Sequence, residues 1–404
     1  MTKCLNRRQM PALAAGALAL ALVTTACGSS SPGSTGTAAS SAPAASSAAP
    51  TAHAGHTAQA PAALPLRAGE RFLNLTMPQP YTPTAPNGGT DEYRCLLIDP
   101  HLTKPAFLTG TRFQPQNGPI VHHAVVFAVP PENAANARAK DTATPGQGWT
   151  CFGDDDIEGE EDSAWVDTWT PGGTETVLKE DVGFPLAPGS LIVLQVHYNL
   201  LATDGRSGES DQSRVRLRLT AGTAATQPLT TVSIPGPIEL PCASGESGPL
   251  CDRAASVADV TKRFGADVGE MEADLVEECN QGQPVPGSTQ RCDVPVPRTM
   301  TVYAALGHMH LLGRSIKVEL NPGTAKARTL IDVPAFNFDD QRYQQFSAPV
   351  EVKEGDMVRI TCTHDATLRR KLPQLSKLPP RYVVWGDGTS DEMCLGLLIA
   401  AVPA

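Results

Sequence analysis

Nowhere in the 404 residues do two cysteines stand in Cys-x-x-Cys spacing, so neither a zinc ribbon nor a thioredoxin-type redox site is supported. The chain also lacks a His-Glu-x-x-His run and any paired acid motif, which leaves it without a metalloprotease signature. Basic residues are outnumbered: 32 Lys and Arg face 42 Asp and Glu, for a net charge of -10. This argues against nucleic acid or an anionic membrane surface as partner, and the charge suits an acidic domain outside the cell. Residues 28–64 contain no aliphatic side chain larger than Ala before Leu64, too little apolar surface to fold, and read as a tether of Ser, Ala, Gly, Thr and Pro. His53 and His56 within it read as incidental linker residues.

What precedes the tether is an export signal. Lys3, Arg7 and Arg8 form a basic start, "ALAAGALALALV" is an apolar core too short for a membrane anchor, and "TTACGSS" places small residues around Cys27. Residues 1–27 therefore read as a lipoprotein-type signal, with Cys27 the expected lipidation site, although Thr24 stands where a lipobox usually has Leu. The protein is expected outside the cytoplasm, held to the membrane through that lipid alone, and monomeric. Of ten cysteines, Cys4 and Cys27 belong to this region; the remaining eight, an even number in an exported chain, point to disulfides.

Beyond the tether about 340 residues remain, enough for two domains. Short runs rich in Val, Ile and Leu, such as "IVHHAVVFAV", "LIVLQVHYNL", "TMTVYAALGHMH" and "MCLGLLIAAV", are separated by Gly and Pro and read as strands. "RVRLRL" alternates charged and apolar residues, as a strand with one wet face should. The expected class is all-β, two jelly-roll-like β-sandwiches over 65–230 and 231–404 that meet near 225–235. Residues 238–296 read as a disulfide-pinned, partly helical insertion in the second. The run "DDDIEGEED" at 154–162 holds seven carboxylates without EF-hand spacing and reads as a solvated loop.

Chemistry concentrates in the histidines. His308 and His310 stand at i and i+2 in "GHMHLLGR", so a strand would present both imidazoles on one face and turn Met309 to the other. His122 and His123 in "VHHAVVF" and His197 in "LQVHYN" lie in equally apolar strands, where a metal and one further hydrogen bond would satisfy both ring nitrogens. Adjacent His122 and His123 would face opposite sides of a regular strand, so shared coordination requires a bulge or bend.

The succession "VHHAVVF", "LQVHYN", "GHMHLLG" and "DGTSDEMC", with "EYRCLLID" around Cys95, resembles the copper type II, ascorbate-dependent monooxygenases, the family of peptidylglycine α-hydroxylating monooxygenase and dopamine β-monooxygenase. The resemblance implies two copper ions per chain: an electron-transfer copper on His122, His123 and His197, and an oxygen-activating copper on His308, His310 and Met393. A His/His/Met set is soft enough for Cu(I). It also implies Cys95–Cys151 and Cys362–Cys394 disulfides, leaving Cys242, Cys251, Cys279 and Cys292 to pair among themselves. Gln195, two residues before His197, matches a family glutamine near the cleft between the coppers. The implied activity is hydroxylation of a substrate C–H bond with O2, ascorbate or another one-electron reductant serving as co-substrate. Leu306, Leu395 and Leu397 replace the Arg, Asn and Tyr of peptide-hydroxylating members, which points to an apolar or neutral small molecule. The rival reading is a non-catalytic surface lipoprotein that stores, delivers or senses copper; two complete ligand sets argue for redox chemistry, since a carrier needs one.

Overall fold

The computed structural model describes residues 63–84, 91–151, 154–159, 163–200, 208–388 and 390–403. The expected export signal, Cys27 and nearly all of the expected tether lie outside the described residues. In the first half the strands are β1 (Glu70–Thr76), β2 (Asp91–Ile98), β3 (Ala106–Gln114), β4 (Val121–Val129), β5 (Trp149–Thr150), β6 (Ala164–Trp169), β7 (Thr176–Val177), β8 (Val182–Leu186), β9 (Leu191–Asn199) and β10 (Arg214–Thr220), with one helix, α1 (Ala134–Thr142). One sheet runs β1-β10-β3-β8, with β7 beside β3, and a second runs β5-β2-β9-β4-β6.

The second sheet is buried on both sides, which explains why β4 and β9 read as nearly unbroken apolar runs. Ile192, Leu194, Val196 and Tyr198 of β9 join Leu108, Phe184 and Leu217 in the core of the first half. Leu191 and Val193, on the other face, belong to a second core continuous with the C-terminal half. By the same alternation Gln195 and His197 point away from the first core and toward the second half.

The second half comprises β11 (Gln227–Gly236), β12 (Glu239–Leu240), α2 (Arg253–Phe264), α3 (Ala266–Asn280), β13 (Thr289–Pro295), β14 (Met300–His308), β15 (Gly313–Leu320), β16 (Arg328–Val333), β17 (Gln344–Val352), β18 (Met357–His364), β19 (Val383–Val384) and β20 (Cys394–Ala401). The sheet β11-β20-β14-β17 faces the sheet β13-β18-β15-β16. The class is all-β, as expected. Strand β11 joins the halves: Gln227 and Pro228 pair in parallel with Val182 and Gly183, and Leu229–Gly236 then pair antiparallel with β20. The expected meeting point at 225–235 thus overlaps β11, which carries one continuous nine-stranded sheet, β1-β10-β3-β8-β11-β20-β14-β17 with β7 beside β3, across both halves.

Two glycines decide which side of the second half carries chemistry. A Cβ on Gly307 would lie 2.6 Å from Ile316 Cγ2, and one on Gly396 would lie 2.9 Å from Val318 Cγ2. Both therefore face the opposing sheet at close approach, and they are register partners. Leu306, His308, Leu395 and Leu397 consequently face the other way, toward the first half.

All eight described cysteines are paired. Cys95–Cys151 and Cys362–Cys394 are bonded at 2.06 Å and 2.05 Å, and the remaining four pair as Cys242–Cys251 and Cys279–Cys292. Four disulfides indicate an oxidising, extracytoplasmic setting. Between the latter two bridges lie α2 and α3, the helices expected of the insertion. Asp252 caps α2 by accepting from Ala255 N at 2.9 Å. The segment expected as an insertion ends in β13, a strand of the sandwich itself.

Two local expectations are corrected. The charged face of β10 is wet only at its start, where Arg214 is exposed: Arg218 is 1% exposed, because Leu64 and Pro65 cross over it and offer their carbonyls at 2.9 Å, while Glu70 and Glu175 neutralise it. Residues 160–162 of the acidic run lie outside the described residues. Nor is its described part, 154–159, simply solvated, for Asp155 is buried, its carbonyl accepting Trp149 Nε1–H at 3.0 Å. Burial lifts its carboxyl to about 6.

Candidate metal centre

The β4–β9 ladder slips by one residue between Val121 and His123, leaving His122 without a ladder partner. This bulge supplies the bend that two adjacent histidines need to serve one site. Within the ladder His197 pairs with His123 on one side and with Tyr93 on the other. Tyr93 stacks on His197 at 4.1 Å between centroids and 7° between planes.

His123 Nδ1 lies 3.2 Å from His122 Nδ1 and 3.2 Å from His197 Nδ1. The outer nitrogens are engaged elsewhere: His122 Nε2–H donates to Asp339 Oδ1 at 2.6 Å, and His197 Nε2–H to Asp91 Oδ1 at 2.9 Å. Those tautomers aim the Nδ1 lone pairs of His122 and His197 at one point. Among the described residues this is the one group of three metal-capable His, Cys, Asp or Glu side chains whose ligand atoms lie within 4.8 Å of one another. Burial is the largest influence on His197, lowering it to about 4 despite the Asp91 contact, and burial with neighbouring imidazoles holds His123 well below the ordinary histidine range. Both are neutral at pH 7, the state in which imidazole binds metal. Converging neutral nitrogens with carboxylate-held outer N–H groups suit copper or zinc.

Strand β14 ends at His308, and His310 follows one turn residue later. Their rings lie 5.2 Å apart at 84°. His308 Nδ1–H donates to Gln341 Oε1 at 2.7 Å, and His310 Nδ1–H to Asp391 O at 3.2 Å. In both rings Nε2 is therefore the nitrogen left for a metal. Burial, then His310, lowers His308 to about 3. Met309 is fully buried in the core on the other side, as the alternation requires.

Glu392 fixes this corner, accepting from His310 N at 2.9 Å and from Leu312 N at 2.6 Å. Met393 is buried, and its neighbour Cys394 is bonded to Cys362 in the opposing sheet. Met393 directly precedes β20, and the β14–β20 register carried two residues beyond its last pair, His308–Leu395, would set it opposite His310. A thioether in that place would give the two imidazoles a soft third donor suited to Cu(I).

His123 of the first half and His308 and His310 of the second line one cavity. Its walls include His123, Gln195 and Trp165 from the first half and His308, His310 and Asp387 from the second. Gln195 is held there by donating to Asp154 O at 2.7 Å. Burial, with Asp154 and Asp391 nearby, keeps the Asp387 carboxyl well above the usual carboxylate range. The residues that the sequence did not mark are Phe338, Asp339 and Gln341, from the connection between β16 and β17; no spacing pattern distinguishes them, and only their contacts identify them.

Residues 287–399 match the profile of the copper type II ascorbate-dependent monooxygenase C-terminal domain. Over this stretch the chain is similar to that monooxygenase domain. The matched monooxygenase domain contains His308, His310, Met393, Cys362 and Cys394, whereas the three-histidine group lies outside the matched residues. Among solved structures, the major capsid protein P2 of bacteriophage PM2 aligns over 83% of this chain and 98% of its own, at 8% identity and a TM-score of 0.29. An allantoicase aligns over 83% and 90%, at 10% identity and 0.18. A Paenibacillus xanthan lyase aligns over 79% and 23%, at 13% identity and 0.18. Scores this low carry no argument about fold or function.

Proposed function

We propose that this chain is a copper-dependent monooxygenase that hydroxylates a C–H bond of a small molecule, using O2 and a one-electron reductant such as ascorbate. The observation that carries the reading is the cavity lined both by His123, one of the three converging histidines of the first half, and by the His308–His310 pair. His122, His123 and His197 would hold one copper through Nδ1. His308 and His310 would hold the other through Nε2, with Met393. Bound copper supplies one-electron redox steps and O2 activation, which none of these side chains supplies alone.

The chain's own groups do the rest. Asp91 keeps the His197 proton on Nε2, Gln341 keeps the His308 proton on Nδ1, and Gln195 presents its amide at the wall between the two sets. Leu306, Leu395 and Leu397 are buried on the His308 face, where they exclude water. No peptide carboxylate would find a cation among them, and this supports an apolar or neutral substrate. In the same reading, residues 65–230 and 231–404 form the two copper domains of a monomer exported by residues 1–27 and anchored through lipid on Cys27, with no nucleic-acid partner.

The test is oxygen uptake by copper-loaded protein with ascorbate and a panel of small C–H substrates, followed by mass spectrometry. The expected result is O2 consumption coupled to a product heavier by one oxygen atom. Two tightly held coppers with no coupled product across a broad panel would favour the storage or delivery reading instead.

A further inference from the structure

His122 is the bulged residue of the β4–β9 ladder, and its outer nitrogen is bonded to the other half of the molecule. The connection between β16 and β17 carries Asp339, whose Oδ1 accepts His122 Nε2–H at 2.6 Å, and Phe338, whose ring stacks on His122 at 5.2 Å and 24°. His197, by contrast, is held by Asp91 and Tyr93 from its own half.

The same connection reaches the second pair of histidines. Gln341 Oε1 takes the His308 Nδ1–H at 2.7 Å, and its amide donates to Phe338 O at 2.9 Å, locking the loop on itself. The Phe338 ring is 5.9 Å from His123, 6.2 Å from His197 and 6.3 Å from His310. One short segment thus touches histidines of both halves.

Resting on the copper reading above, we propose that Phe338, Asp339 and Gln341 form a positioning device common to both metal sites, through which the first site is completed by the second half. Asp339 orients His122 through its outer nitrogen, Gln341 orients His308 in the same way, and Phe338 spaces the two groups. Outer hydrogen-bond partners of this kind fix the tautomer and ring angle of a ligand, and their loss lowers metal affinity by roughly 10–100-fold. A consequence follows by linkage: whatever parts the two halves weakens copper at the three-histidine site, and copper there favours the docked halves.

The test is chelator competition and Cu(II) electron paramagnetic resonance on full-length Asp339→Ala, Asp339→Asn and Gln341→Ala proteins, with thermal unfolding as a control. Asp339 is partly exposed, so its removal should leave the fold intact. Asp339→Ala should lose one copper at chelator concentrations that leave two on the wild type, a loss of roughly 10-fold or more in affinity, with an altered spectrum. Asp339→Asn, which keeps an oxygen acceptor, should recover most of it. Gln341→Ala should weaken the other copper and leave the three-histidine signal in place. Wild-type affinities and spectra in both alanine variants would overturn the proposal while leaving the copper reading intact. A wild type that binds no copper would overturn both.

Discussion

Acidifying the copper-free protein should destabilise it through His197, and the size of the effect follows from burial. In the folded chain this imidazole titrates at about 4, and in the unfolded chain near 6.5. Above pH 6.5 neither state takes up a proton there. Between 6.5 and 4 the unfolded chain is protonated while the folded one is not, so stability falls as pH falls and the loss is complete below 4. The full gap corresponds to about 3 kcal/mol, of which roughly 2 kcal/mol should have been lost at pH 4.5. The assay is denaturant unfolding of wild type and His197→Gln at pH 7.0 and 4.5, disulfides intact. Asp155 and Asp167, lifted to about 6 by burial, act in the opposite direction, but they are common to both proteins and cancel. The wild type should lose about 2 kcal/mol more than the variant on acidification. Equal losses would refute the claim that His197 is buried in its neutral form.

Met393→Ala should leave copper on His308 and His310 yet abolish substrate hydroxylation, because the soft ligand is gone, whereas Met309→Leu should spare turnover and cost less than about 1.5 kcal/mol; copper content and product assays separate the two. Gly307→Ala should destabilise the protein by about 1–3 kcal/mol in denaturant unfolding, since its Cβ would press on fully buried Ile316 Cγ2 between two packed sheets. Replacing Cys362 and Cys394 with Ser opens a loop with a sequence separation of 32 and should cost about 3–4 kcal/mol on the chain-entropy estimate. The same double variant should release the Met393 strand and lower copper retention at the second site; unchanged retention would show that Met393 needs no such anchor.

Local chemistry was readable in the one-dimensional order. Short apolar runs bounded by Gly and Pro announced the strands, the i and i+2 spacing of His308 and His310 announced imidazoles on one face, and an even set of scattered cysteines announced disulfides, because each rests on local sequence or composition. Even the need for a bulge at His122 was legible, since two adjacent side chains cannot share a face without one. What long-range packing settles was not. Arg218 looked solvent-facing until Leu64 and Pro65, more than 150 positions away, closed over it. Asp155 looked like one carboxylate among seven until Trp149 covered it. The order of the insertion disulfides depended on how α2 and α3 pack. Asp339 lies 217 residues from His122, and no periodicity joins them. Sequence by itself determined the donor atoms; docking of the two halves decided which of them meet, because burial and register across separate sheets are properties of the assembled chain.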